Sequence, residues 1–261
     1  MKRSVLSAAQ VEQFIADGFV VLRHAFPRSV ADEIRARIWK AIGLHPEQPE
    51  NWTKPAVYLN KNFGGDPFTQ AFTPRVIGAF DDVMGEGRWE QQFHLGWWPI
   101  AFPGFDSKPW RAPQSGWHID GYHFHHRLAS REQGLLPIFI FSDIEAGGGG
   151  TALSIGSHTI TANVLAEAEP HGLSMDELTR RVVAHPRSRS RVIEATGEAG
   201  DVVLIHPFLL HARSPNTGSS VRFICNPCFA LKEEMRFDRP EANAISPVER
   251  AIVNALPSLT I

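Results

Sequence analysis

The sequence predicts a mainly β protein with flanking helices, built as a sandwich or barrel, on three observations. Short apolar runs rich in β-branched and aromatic residues fill the middle of the chain; Gly and Pro punctuate them; helical signals collect toward the two ends. At 261 residues one large core is the economical arrangement, and no repeat or low-complexity linker divides it. The expected organisation is a single domain over 1–261. It has a helical N-terminal part over about 1–88, a β-barrel over about 89–232 and a C-terminal helix over about 246–256.

Each element has a local cause. Ser7 with Gln10 makes a capping box for a first helix that Gly18 can end, and the strand FVVLRHAF follows. Val30, Ile34, Ile38 and Ile42 recur at fourfold spacing before Gly43, which marks a second helix. Thr73-Pro74 reads as an N-cap with Pro at the first helical position, opening a third helix that closes near Gly85. The runs QFHLGWWPIAF, GWHIDGYHF, LLPIFIFSDI, GGTALSIGSH, SRVIEAT, DVVLIHPFLLHAR and SVRFICNPCFAL are expected strands. One helix, SMDELTRRVVA, interrupts them behind a Ser174/Glu177 capping box, and SPVERAIVNAL closes the pattern with Ser246, Pro247 and Glu249 in capping positions.

Composition excludes several classes. Hydrophobic content of 43% and charged content of 21% are those of a folded globular protein. A net charge of −2 with no long basic run offers no footprint for nucleic acid or an anionic membrane, so a small-molecule partner is expected. The start MKRSVLSAAQVEQF lacks the apolar stretch of a signal peptide, and no later run reaches a membrane span. The two cysteines, Cys225 and Cys228, form a lone CxxC in a strand-like run. They read as buried strand residues, which fits a reducing cytoplasm.

The chemistry concentrates in GWHIDGYHFHHRL, where four histidines and an aspartate share thirteen positions. On a strand, His118 and Asp120 point to one face while Ile119 points to the other. His211, near the end of DVVLIHPFLLHAR, is the candidate third ligand. Two imidazoles and one carboxylate leave open positions on an octahedral ion, the arrangement of non-haem Fe(II) oxygenases. Arg222 in SVRFIC offers a guanidinium fork for the far carboxylate of a dicarboxylate such as 2-oxoglutarate.

These residues carry a resemblance over nearly the whole chain. The start FIADGFVVLRHAF, the pair WHID, the run GGGGTALSIGSH, AGDVVLIHPFLLH and SPNTGSSVR, in that order, resemble the phytanoyl-CoA dioxygenase (PhyH) family of Fe(II)/2-oxoglutarate oxygenases. The resemblance implies a double-stranded β-helix (a jelly-roll or cupin-like barrel), with His118, Asp120 and His211 as iron ligands. It also implies Arg222 as the 2-oxoglutarate arginine, Thr151 as a further cosubstrate contact, and O2 as co-reactant. The implied reaction is hydroxylation of a small molecule with release of succinate and CO2. Family members that halogenate replace the carboxylate at the position of Asp120 with a small residue, so its presence favours hydroxylation. Desaturation, ring closure and epimerisation would use the same iron chemistry. The chain departs from the family at Arg213, where many relatives carry a small hydroxyl residue. If the His211 strand continues, Arg213 faces the cavity and selects a polar or acidic substrate; if it ends first, Arg213 lies in solvent.

Other readings stand beside these. A cupin-like metalloenzyme not using 2-oxoglutarate, or a non-catalytic metabolite-binding barrel, would share the fold. His123, His125 and His126 could form a second metal site but read better as pocket-rim residues, with His125 and His126 as candidate substrate contacts. His206 falls on the opposite face from His211 and is expected to be structural, and His158 to stabilise a turn. The glycine run 147–150 reads as a flexible connection. Of the adjacent Trp97 and Trp98, one is expected to line the pocket; Trp98 is the candidate.

Overall fold

A computed structural model describes residues 4–238 and 245–256, so the basic start Met1-Lys2-Arg3 lies outside the described residues. In chain order the elements are α1 (Ala8–Asp17), β1 (Phe19–Leu22), α2 (Arg28–Ile42), β2 (Ala56–Leu59), β3 (Phe63–Gly64) and α3 (Pro74–Met84). Then come β4 (His94–Leu95), β5 (Trp98–Ala101), β6 (Leu136–Ile140), β7 (Ala152–Ser154), α4 (Ser157–Ala168) and α5 (Met175–Ala184). The chain continues through β8 (Val192–Glu194), β9 (Val202–Ile205), β10 (His211–Ala212), β11 (Arg222–Cys225) and α6 (Pro247–Ala255).

Two antiparallel sheets face each other. The larger runs β1-β9-β6-β11-β5-β2 and the smaller β10-β7-β8, with β3-β4 as a separate pair. The larger sheet is buried on both faces because its strands alternate two apolar sets. Leu136, Ile138 and Ile140 of β6, with Val203, Ile205 and Ile224, pack inward against Leu153 of the smaller sheet. Phe139, Leu204 and Phe223 point outward into the larger core shared with the helices. There Phe80 of α3 meets Trp89 at 5.6 Å and Phe229 at 4.9 Å between ring centres, in edge-on pairs. The inner space between the sheets is where the site forms.

The helix ends follow the sequence logic. Ser7 and Ser246 make full capping boxes with Gln10 and Glu249, while Thr73 caps α3. Ser174 caps α5, but the carboxylate of Glu177 turns to Arg180 and to Arg181 at 2.7 Å, so only half of the expected box forms. The barrel with flanking helices is as the sequence predicts, with helices carrying more residues than strands among the described residues. Two expectations need correction. The first 88 residues hold more than helices and the expected strand β1: β2 is added, and the two are the outer strands of the larger sheet. An unexpected helix, α4, follows GGTALS, with His158 inside it instead of in a turn.

Two loops also differ. GWHIDGYHF is not a regular strand; it pairs only at the isolated bridge His118 with His211, and the next bridge, His126 with Leu173, lies beyond it. The glycine run is pinned instead of flexible: the Gly147 amide donates to Glu194 Oε2 at 2.6 Å, and the Gly149 and Gly150 amides donate to Oε1 at 2.9 Å. Successive backbone amides around one carboxylate form a nest. Side chains are excluded there, since a Cβ on Gly150 would stand 2.2 Å from the Ala195 carbonyl oxygen.

Candidate metal centre and its two cavities

His118 and His211 face each other through the isolated bridge, whose two backbone hydrogen bonds measure 2.9 and 3.1 Å. This one pairing brings together two segments more than ninety positions apart. Each imidazole then uses Nδ1 on its own backbone: His118 on Gly116 O at 2.8 Å, His211 on Leu209 O at 3.0 Å. A carbonyl can only accept, so Nδ1 carries the proton and Nε2 of a neutral ring presents a lone pair. Both Nε2 atoms point at Asp120, at 3.3 Å from His118 and 3.6 Å from His211. One donor atom from each of the three residues lies within 4.8 Å of the others.

That donor set suits a divalent cation. Two lone pairs and a carboxylate repel unless positive charge sits among them, and the buried Nε2 of His211 has no hydrogen-bond partner. Burial alone would push the Asp120 carboxyl up, but the two neighbouring imidazoles, His211 foremost, hold it well below the usual carboxylate range. Burial would lower His118, yet its hydrogen bond to Asp120 raises it overall. An N2O set without thiolate, on one side only, fits iron better than structural zinc.

Two cavities meet at this centre. The smaller, about 280 Å³, is lined by His118, His211, Thr151, Arg213, Arg222 and inward apolar side chains of the larger sheet. Arg222 lies at its inner end, 2% exposed, with Nε and Nη2 lacking any partner. Burial pulls its guanidinium down to about 10, so it stays charged at neutral pH. A buried, unpaired cation is costly, which makes this end of the cavity a receptor for an anion. The larger cavity, about 700 Å³, opens on the other side and touches both His118 and Asp120. Trp97 and Asn226 border both.

The remaining candidates separate clearly. Strand β10 stops at Ala212, and Arg213 is exposed at the mouth of the smaller cavity, so the condition for pointing it inward is not met. The carboxylate of Asp143 is not available to it, since it pairs with Arg28 at 2.6 Å. Trp98 is fully buried, with its indole N–H on Lys61 O at 3.1 Å, and does not border either cavity. Its neighbour Trp97, 43% exposed and held at φ +65°, takes the wall instead. Trp97 precedes β5, so strand alternation does not govern it. His126 is buried with Nε2 on Gly121 O at 3.0 Å, and His125 is exposed outside both cavities; neither meets the site. His123 borders the larger cavity.

His206 is structural, although not by strand alternation: β9 ends at Ile205, and the buried ring bonds Val248 O at 3.1 Å. Cys225 is buried in β11 with its thiol on Gly96 O at 3.0 Å, whereas Cys228 lies past the strand and borders the larger cavity. Sequence reasoning missed Asn226, although Arg222, Ile224 and Asn226 alternate along one face and Ile224 is an inward residue. It also missed Glu90, Glu132 and Gln133, whose segments are irregular and carry no periodic signal.

A double-stranded β-helix with an open His-Asp-His set and a buried arginine in the adjoining cavity defines the class of metal-dependent oxygenases. The phytanoyl-CoA dioxygenase (PhyH) family model matches residues 14–224, and the chain belongs to that family of Fe(II)/2-oxoglutarate oxygenases. No curated protein matches the chain. Among solved structures, the non-heme α-ketoglutarate-dependent carbocyclase SnoK from nogalamycin biosynthesis is similar with TM-score 0.54 and 14% identity, over 93% of this chain and 90% of its own. The epimerase SnoN, in complex with Fe3+, α-ketoglutarate and nogalamycin RO, gives 0.56 and 15% over 85% and 82%. HygX from Streptomyces hygroscopicus, with nickel and 2-oxoglutarate bound, gives 0.54 and 14% over 91% and 93%. At such identities the likeness shows the fold. Among the described residues, no helix is long and apolar enough to cross a membrane.

Proposed function

We propose that the protein hydroxylates a small polar molecule, with His118, Asp120 and His211 holding Fe(II) and Arg222 holding the far carboxylate of 2-oxoglutarate. The observation that carries the reading is the unpaired, buried Arg222 fork in the same cavity as both imidazoles. Iron and 2-oxoglutarate together supply dioxygen activation coupled to decarboxylation, giving succinate and CO2.

The residues around them do the positioning. Gly116 O and Leu209 O fix the ring orientation of the two ligands. Arg222 neutralises the cosubstrate's carboxylate in a site that water reaches poorly, and Thr151 borders the same space. Trp97 and Asn226 stand between the cosubstrate side and the larger cavity, where a substrate carbon would be presented to the metal. A cupin-like enzyme without cosubstrate, or a non-catalytic barrel, would need an anion of its own at the buried Arg222 cation.

The test is a metabolite screen of the Fe(II)-loaded protein that scores substrate-dependent succinate release. A hydroxylated product is expected. The similar folds of a carbocyclase and an epimerase make product analysis the deciding step, since succinate alone would accompany either outcome. Turnover of substrate with no 2-oxoglutarate consumed would overturn the proposal.

A further inference from the structure

The two cavities carry opposite charge. The smaller has Arg222 and Arg213 on its walls. The larger has no Lys or Arg among its lining residues but carries Glu90 and Glu132 in addition to Asp120. These two carboxylates come from segments on either side of 228–231: the Glu90 amide bonds Ala230 O at 2.9 Å, and Leu231 N bonds Arg131 O at 2.7 Å. Among the described residues neither carboxylate has a salt-bridge partner, although several other surface carboxylates do.

Acidic side chains alone do not make a site, but two further observations point to a ligand. Gln133, 3% exposed, borders this cavity with its Nε2 buried and unbonded, and Asn226 borders it with Oδ1 in the same state. Buried amide groups without partners are rare, and here one offers a donor and the other an acceptor. Trp97 adds an aromatic wall, in a left-handed conformation that a non-glycine residue rarely adopts. Carboxylates and an exposed indole lining one cavity are surroundings that suit an ammonium group.

We infer that the larger cavity takes a cationic, amine-bearing polar molecule, its ammonium between Glu90, Glu132 and Trp97 and its hydroxyl or amide groups on Gln133 and Asn226. The inference rests on the oxygenase reading for its placement of the metal between the two cavities. It replaces the expectation of an acidic substrate, which depended on Arg213 pointing inward. The anionic cosubstrate and the cationic substrate then reach the metal from opposite sides, each repelled from the other's entrance.

The test is ligand-observed NMR with the purified protein and a panel of size-matched primary amines, neutral amides and carboxylates, repeated on the Glu90→Gln/Glu132→Gln double variant. Both glutamates are exposed, so the exchange leaves the core untouched. Amines should dominate the hits, weaken at least tenfold in the variant and weaken as salt rises. Hits led by carboxylates or neutral amides, no amine hit, or unchanged amine binding in the variant would overturn the inference. A parallel anaerobic titration with Fe(II) and 2-oxoglutarate reads the visible charge-transfer absorption. Amine binding without that absorption would sink the oxygenase reading while keeping the cavity's preference, and the absorption without amine binding would sink this inference alone.

Discussion

The metal centre depends on a few side-chain atoms whose orientation is set by main-chain carbonyls. His211→Ala removes a buried donor, and Fe(II) affinity should fall by roughly a hundredfold or more, beyond what losing an outer-shell partner costs. His126→Ala should leave iron content unchanged, because its Nε2 serves Gly121. Metal analysis after desalting separates the two, and equal iron loss would mean that the ligand set is wrong. The tryptophans make a second contrast. Trp98→Ala should cost about 3–5 kcal/mol in urea unfolding, as for a buried aromatic, whereas the exposed Trp97→Ala should cost little stability but lower substrate-coupled turnover. Spacing made the pair HID and the distant His211 candidates, and the family resemblance implied their roles and that of Arg222. Trp97 could not be assigned, since its position rests on a local left-handed turn that no alternation rule covers.

At the scale of elements, helices with strong caps and one apolar stripe were readable, and α4 was not. Its Thr, Ile and Val content reads as strand, and it packs against α5 and α6 and meets α1 through His158 instead of along a single face. Those contacts enclose His158, whose Nε2 bonds Ile15 O at 3.0 Å and whose ring lies 5.1 Å from that of His206. Burial lowers His158 from 6.5 to about 4. Above pH 6.5 both folded and unfolded chains hold it neutral; as pH falls toward 4, only the unfolded chain takes up the proton. Stability should therefore drop through that window, by up to about 3 kcal/mol from this group. His158→Gln should flatten the Tm profile between pH 6.5 and 4, and an unchanged slope would place the acid sensitivity elsewhere. A second tie joins α6 to the segment after α3: Glu249, fully buried, receives the Arg88 fork at 2.6 and 2.7 Å. Glu249 was expected only as a capper, because capping is local and its arginine partner is 161 positions away. Arg88→Leu strands that carboxylate and should destabilise the protein by roughly 3 kcal/mol or more, readable as a lower urea midpoint at unchanged slope.

The whole molecule is a barrel whose inner space is divided at a metal centre, with a buried cation on one side and carboxylates on the other. The barrel's strand patterns and the HxD spacing were visible in the sequence because they are local, while the full ligand set was implied by the family resemblance. The division into two cavities was not, since it arises from segments around 60, 90, 130 and 226 that meet only in the fold. The central claim is that one side receives 2-oxoglutarate on both metal and Arg222. Its most direct measurement is anaerobic titration of the Fe(II)-loaded protein with 2-oxoglutarate, in the parent and in Arg222→Leu. The parent should bind one 2-oxoglutarate per chain with a visible charge-transfer absorption, while Arg222→Leu should retain iron and lose roughly 3–5 kcal/mol of 2-oxoglutarate affinity, as breaking a buried ion pair costs. Equal affinity in the two proteins, or in the parent with and without Fe(II), would contradict the account.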